Sequence, residues 1–377
     1  MGFINNIEDN TREDELVYAI ALSQIFYYEC AKSRELIDKI KFPSDIFNMN
    51  KSDLETLLGR NNSTYIDKVL NKKDFTNIYK EIEWAEKHGI KIYWINDSTY
   101  PKRLRECCDA PLALFYKGNA DLNAERIIAI VGTRSPTVYG RDSVRKIIKS
   151  LSMLDKPPII LSGLAYGIDI TAHRQALSFG LDTIGVVAHG LDMIYPNCHR
   201  NDAAKMTKQG GILTDFTSGT TPFKNNFRRR NRIIAGLANA VILIESTITG
   251  GGMLTMKMAD SYDRDLFAVP GRINDLKSEG CNQLIHSKLA SAIYKPVNIA
   301  NSLGWRSPKD KKDIQKIIQS NDNEIIKKIL TLLSTSSMNL SSLHEKIGDE
   351  ISPLLINITN LEIEGRIFKD IYGMYSI

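Results

Sequence analysis

Apolar residues recur at helical spacing through the first part of the chain, in "ELVYAIALSQIFYYECAKSRELIDKI", "DLETLLGR" and "NIYKEIEWAEKHG". This spacing predicts helices, with no strand of comparable strength. From residue 126 to 303 the rhythm changes. Short β-branched runs ("RIIAIVG", "PIILSG", "TIGVVAHG", "GILTDF", "AVILIES" and "DLFAVPG") alternate with helical patterns. Such alternation predicts an α/β fold, a parallel sheet with helices on both faces. The runs are nearly pure apolar, as expected of strands covered on both sides. Residues 90–125 read as a connector with short strands, and 306–322 as a polar, charged linker with some helix. In 323–377 three helical patterns and a hairpin turning at Gly373 suggest a winged helix. The resulting division is 1–85 (helical), 86–305 (sheet core), 306–322 (linker) and 323–377 (winged helix).

Composition narrows the class. The chain has 377 residues, of which 43% are hydrophobic and 25% charged, enough to bury a sizeable core in two or three domains. A net charge of +5 permits a polyanionic partner without requiring one. The five cysteines are odd in number and form no CxxC pair. That argues against a disulfide framework or a zinc finger and fits a reducing compartment. The opening "MGFINNIEDNTREDELVYAI" is acidic and lacks a signal-peptide pattern. No apolar run approaches the ~18 residues of a membrane span. The expectation is a cytoplasmic protein with no membrane partner.

The candidate chemistry lies after the strands, where "VGTRSPTVYG", "SGLAYGID", "HGLDMIYP" and "TITGGGMLT" place glycines at one edge of the sheet. Ligands of open α/β sheets bind beyond the carboxyl ends of the strands. Glycine there admits close backbone approach, and the following helix N-terminus attracts anions. A dinucleotide fingerprint is absent: Gly132-Thr133-Arg134 lacks the second glycine, and the second strand ends in Ser162-Gly163 without the ribose-holding acid. No Walker A pattern exists either. The stretch "FRRRNRIIAGLANA" crowds Arg228, Arg229, Arg230 and Arg232 at a helix start, the end least favourable to cations. An anion among them would reverse that cost, and a nucleic-acid backbone supplies such anions in a row. Tyr139, Tyr166, Phe223 and Phe227 offer rings on which single-stranded bases stack. The bland alternative is a solvated face, with Arg230 and Arg232 paired to acids such as Glu245 or Asp215.

Catalytic patterns are weaker. Ser162, Asp169 and His173 suggest a triad, but Ser162 is not in GxSxG, and a capping Asp with a packed His explains the other two better. His189, Asp192, Cys198 and His199 match no strong zinc spacing. No catalytic residue, metal or cofactor is expected.

Six stretches in order, "IVGTRSPTVYG", "LSGLAYGIDITAH", "GLDMIYP", "FRRRNRIIAGL", "ADSYDRDLFAVPGRI" and "GCNQLIH", resemble the DNA-processing protein A (DprA, also Smf) family over roughly 90–300. The resemblance implies an extended Rossmann-like core that binds single-stranded DNA. It implies homodimers, loading of the RecA recombinase during natural transformation, and no catalysis. Carried over by position, the DNA pocket would use Gly132, Arg134, Ser162, Gly163 and Gly167. It would add Lys224, Phe227, Arg229, Arg230, Asn231 and Arg232, then Gly250, Gly251 and Thr255. Arg228 stands where the family usually has proline. The N-terminal region resembles a SAM or helix-hairpin-helix module without the usual glycine hairpin. The tail carries five basic against seven acidic residues and a third helix poor in base-reading groups, so it suits protein contacts or weak DNA contacts. Two rivals of other classes are a phosphoribohydrolase-like nucleotide-processing enzyme and a nucleotide sensor. The first is disfavoured because "GGGMLTMKMAD" offers no acid before Asp260.

Overall fold

The computed structural model describes residues 4–305, 322–333, 338–348, 351–364, 366–369 and 373–376. Most of the expected linker, 306–321, lies outside the described residues. Two compact units are formed, Met1–Ser152 with Lys156–Ala300, and Met153–Asp155 with Asn301–Ile377.

The first unit opens with six helices: α1 (Ile4–Ile25), α2 (Cys30–Ile40), α3 (Pro43–Asn48), α4 (Lys51–Leu58), α5 (Ser63–Asn71) and α6 (Thr76–Lys87). Two strands, β1 (Lys91–Trp94) and β2 (Ala113–Gly118), flank the short α7 (Lys102–Arg105). Then strand and helix alternate: β3 (Ile127–Val131), α8 (Val138–Leu151), β4 (Ile159–Ser162), α9 (Ile168–Ser178), β5 (Thr183–Val186), α10 (Arg200–Met206) and β6 (Gly210–Thr214). They continue as α11 (Lys224–Leu237), β7 (Ala240–Leu243), α12 (Gly251–Ser261), β8 (Asp265–Ala268), α13 (Glu279–His286), β9 (Ser291–Ala292) and α14 (Val297–Ser302). All six strand patterns read from the sequence fall on β3 to β8.

The fold is mixed α/β. One nine-stranded sheet runs in the order β1-β2-β6-β5-β4-β3-β7-β8-β9. β1 and β2 pair antiparallel with each other and β2 with β6, while every other pairing is parallel. The chain builds outward from β3 in one direction to β6, then returns to β7 on its other side. β3 and β7 therefore bracket a switch point, where the loops after two adjacent strands diverge to opposite faces and leave a crevice. The residues of β3, β4, β5 and β7 are all buried, as two covered faces require. One apolar core runs without a break from Leu16 and Ile20 of α1 through Leu114 of β2 to Ala129 and Val241 at the sheet centre. The N-terminal helices thus close their core against the sheet.

The second unit contains α15 (Glu324–Leu333), α16 (Leu340–Ile347), α17 (Ile351–Ile363) and an antiparallel pair, β10 (Phe368–Lys369) with β11 (Tyr375–Ser376). Its own core includes Ile329, Leu343, Leu354, Ile358 and Tyr375. Gly373, in the left-handed region (φ 78°), precedes β11.

Candidate nucleic-acid interface

The crevice is a cleft of about 860 Å³, lined by residues of four segments. The loop after β3 supplies Gly132, Thr133 and Arg134. The start of α11 supplies Lys224, Phe227, Arg228, Arg230 and Asn231. The loop after β7 and the start of α12 supply Ser246, Thr247, Thr249, Gly250, Gly251 and Thr255, and Asp169 comes from the first turn of α9. Of the fourteen residues named from sequence, Gly132, Arg134, Lys224, Phe227, Arg230, Asn231, Gly250, Gly251 and Thr255 line this one cleft. Ser162, Gly163, Gly167, Arg229 and Arg232 do not.

Each of those five has a structural partner. Ser162 is fully buried, and its hydroxyl donates to the Ile130 carbonyl at 2.6 Å. Gly163 lies against the Arg230 guanidinium and the Asp169 carboxylate. Gly167 has φ 81°, and a Cβ there would collide with the Thr133 carbonyl oxygen. Only glycine lets the turn before α9 close on the loop after β3.

The arginine cluster divides in two. Arg229 and Arg232 are buried and share one carboxylate oxygen of Asp215, which follows β6. Arg229 holds it at 2.9 Å, and also donates to the Tyr27 carbonyl at 2.6 Å. Arg232 additionally donates to the Asp109 carbonyl. Arg230, only 4% exposed, makes neither pairing considered from sequence. Its Nη1 donates to the carbonyls of Gly163 (2.7 Å) and Val186, at the ends of β4 and β5. Glu245 instead accepts from the Thr137 amide (2.9 Å) and hydroxyl, holding the start of α8. Arg228 and Lys224 are exposed.

Electrostatics follow this division. Burial pulls the Arg230 pKa down to about 10, with Asp169 opposing and Arg134 reinforcing the shift. The group still carries its charge at neutral pH. Burial raises the Asp169 carboxyl above its ordinary value, partly offset by Arg230. Phe227 lies under two cations, with its ring centre 5.1 Å from the Arg134 guanidinium carbon and 5.9 Å from that of Arg230. Tyr195 stands 6.2 Å beyond it, half exposed. The start of α12 adds the positive end of a helix of eleven residues. The cleft is therefore cationic, with one aromatic face and one buried carboxylate.

Sequence reasoning missed the hydroxyls of Ser246, Thr247 and Thr249 and the place of Asp169. The signal for the hydroxyls was present in "ESTITGGG", a hydroxyl-rich loop leading into a glycine-rich helix start. The triad does not assemble, because the Ser162 hydroxyl is bonded to Ile130 and His173 Nδ1 faces Thr183 Oγ1 at 2.7 Å. Among the described residues no cluster of three potential metal ligands occurs. No described helix is long and apolar enough to cross a membrane.

A family model described as DNA recombination-mediator protein A matches residues 91–304. The DNA processing protein DprA of Streptococcus pneumoniae is 37% identical over 241 residues, 62% of this chain and 82% of that protein. Protein Smf of Synechocystis is 34% identical over 257 residues, 67% of this chain and 64% of that protein. Among solved structures, DprA from S. pneumoniae superposes with a TM-score of 0.61 at 33% identity, over 73% of this chain and 96% of that one. DprA from Helicobacter pylori, whose structure is described as revealing a unique single-stranded DNA binding mode, gives 0.52 at 29% identity, over 58% of this chain and 97% of that one.

Proposed function

The chain belongs to the DNA recombination-mediator protein A family, the DprA/Smf proteins, and from that premise we propose that its switch-point cleft binds single-stranded DNA. The observation that carries this reading is the meeting of Arg134, Lys224, Arg228 and Arg230 with the open glycine start of α12 around the Phe227 ring. Phosphates would lie along the cations and helix terminus, and a base would stack on Phe227. The H. pylori relative's single-stranded DNA binding agrees with it.

In the fuller reading, the protein is a non-enzymatic mediator in the cytoplasm. It protects incoming single strands and loads RecA onto them during natural transformation, acting as a homodimer. Residues 1–85 are a SAM-like module, 86–305 the DNA-binding core, 306–322 a linker and 323–377 a winged helix. The rival enzyme reading has less support: Asp260, the first acid after the glycines, is exposed in the last turn of α12 and does not line the cleft.

The test is a titration of fluorescent oligonucleotides, single-stranded and duplex, at several salt concentrations. Single strands should bind more tightly, and affinity should fall with salt. Lys224→Ala and Arg228→Ala should each reduce the salt slope by about 1. Equal binding of duplex, or an affinity indifferent to salt, would count against the proposal. A mononucleotide held in preference to any oligonucleotide would favour the sensor or enzyme instead.

A further inference from the structure

The start of α11 is an improbable helix end. Lys224, Arg228, Arg229, Arg230 and Arg232 crowd its first nine residues, and its N-cap, Phe223, provides no side-chain hydrogen bond. Cations at this end oppose the helix dipole, and an uncapped first turn frays. Yet the first two turns carry Phe227, Arg228 and Arg230 into the cleft, so something else must hold them.

The hold comes from the turn that ends α1. Tyr28 donates its hydroxyl to Asn226 Oδ1 at 3.0 Å, and the Tyr27 hydroxyl approaches the same oxygen at 3.4 Å. Asn226 is 2% exposed, and its amide nitrogen donates to the Thr221 carbonyl at 3.2 Å, closing the loop before the helix. Arg229 donates to the Tyr27 carbonyl, and its guanidinium lies against both the Tyr27 and Phe216 rings, 4.4 and 4.6 Å from their centres. A guanidinium beside the carboxyl end of a 22-residue helix is placed where the dipole favours it. The unfavourable cation of one helix is thereby the favourable cation of another.

We infer that the Tyr27–Tyr28 turn is a positioning element for the cleft: through Asn226 and Arg229 it sets the first two turns of α11, and with them Phe227 and Arg230. The inference rests on the single-strand reading of that cleft. It gives the N-terminal helices a part in DNA binding without any contact to DNA.

The experiment uses the full chain with Tyr27→Phe/Tyr28→Phe, Phe227→Ala and the triple variant. Each is titrated with fluorescent oligothymidylate and followed by amide hydrogen exchange. The tyrosine pair should exchange faster at the start of α11 while the sheet stays protected. Its affinity should fall by about threefold to tenfold, the range of one or two hydrogen bonds. Combined with Phe227→Ala the losses should be less than additive, because both act on one ring. If the double variant fails to fold, Tyr28→Phe alone makes the same comparison, since that ring is 53% exposed. Unchanged exchange at α11 in a protein that binds oligothymidylate, or strictly additive losses, would overturn the inference alone. A wild type that binds no oligothymidylate would overturn the cleft reading itself, and the role in binding with it.

Discussion

Asp169 and Arg230 both close on Gly163. A Cβ on that glycine would collide with both Asp169 Oδ2 and Arg230 Nη1. Arg230 nevertheless turns its Nη1 to the strand-end carbonyls of Gly163 and Val186. The carboxylate is thus left as a negative group in a cationic cleft.

This arrangement predicts a pH signature. Burial raises the folded pKa of Asp169, with Arg230 only partly opposing. Stability linked to this group is full below the unfolded value of about 3.9, and declines as pH rises through the raised folded value. Asp169→Asn should remove that decline and stabilise the protein at neutral pH. It should also tighten single-stranded DNA at pH 7, with the gap to wild type closing as acid protonates Asp169. Urea denaturation and oligonucleotide titration across pH check both parts. Parallel pH profiles for the two proteins would refute the assignment.

The two halves of the arginine cluster should respond differently to mutation. Asp215 is the carboxylate of two buried guanidinium groups, with side-chain exposure of 1%. Asp215→Asn leaves both charges without a counter-ion, which costs about 3 kcal/mol or more. Arg228→Ala, on the exposed side of the helix, should change stability by less than about 0.5 kcal/mol. Its effect should appear in DNA affinity alone. Denaturation midpoints beside binding isotherms separate the two. Equal stability losses would mean that Arg228 also has a buried partner.

Two glycines of the site should separate in the same way. At Gly163 a methyl group would collide with the Arg230 guanidinium, so Gly163→Ala should destabilise by about 1–3 kcal/mol and weaken binding by displacing that arginine. At Gly251 nothing lies within 4 Å of the place a Cβ would take. Gly251→Ala should leave the melting temperature unchanged or slightly raised, since alanine favours the helix. It should still lower DNA affinity, because the methyl group enters the cleft where backbone and phosphate would meet. Full affinity in Gly251→Ala would remove this turn from the contact surface.

The sheet was legible because buried parallel strands are nearly pure apolar, and six such runs stood out. The cleft was legible in part, because glycine turns cluster where strands end. The sequence offered Asp215 as an acid for Arg232, which the structure bears out, but it did not find the burial of Arg229 or the partners of Arg230. Arg228, Arg229 and Arg230 are consecutive, so helical geometry sends them in three directions about 100° apart. Arg229 then meets Asp215 and the Tyr27 carbonyl, far away in sequence, and Arg230 meets the ends of two strands. Nothing local to "FRRRNR" encodes those partners. Asp169 was hidden by its plausible local role in the first turn of α9.

His173 yields the last prediction. The Thr183 hydroxyl donates to the Ile160 carbonyl at 2.9 Å, so it must accept from His173 Nδ1, which carries the proton. His173 Nε2 is then a bare acceptor, buried without a hydrogen-bond partner. A second proton there would create a buried charge, and burial accordingly lowers the pKa to about 3. The folded value lies below the unfolded 6.5, so the stability it contributes is present above pH 6.5 and is lost as pH falls towards 3. Between pH 7 and 5 the wild type should lose about 2 kcal/mol more than His173→Gln, which has no proton to gain. Denaturation at the two pH values measures that difference. Equal losses, or an imidazole resonance titrating near 6.5 in the folded protein, would show that His173 is reached by solvent and would reopen a chemical role for it.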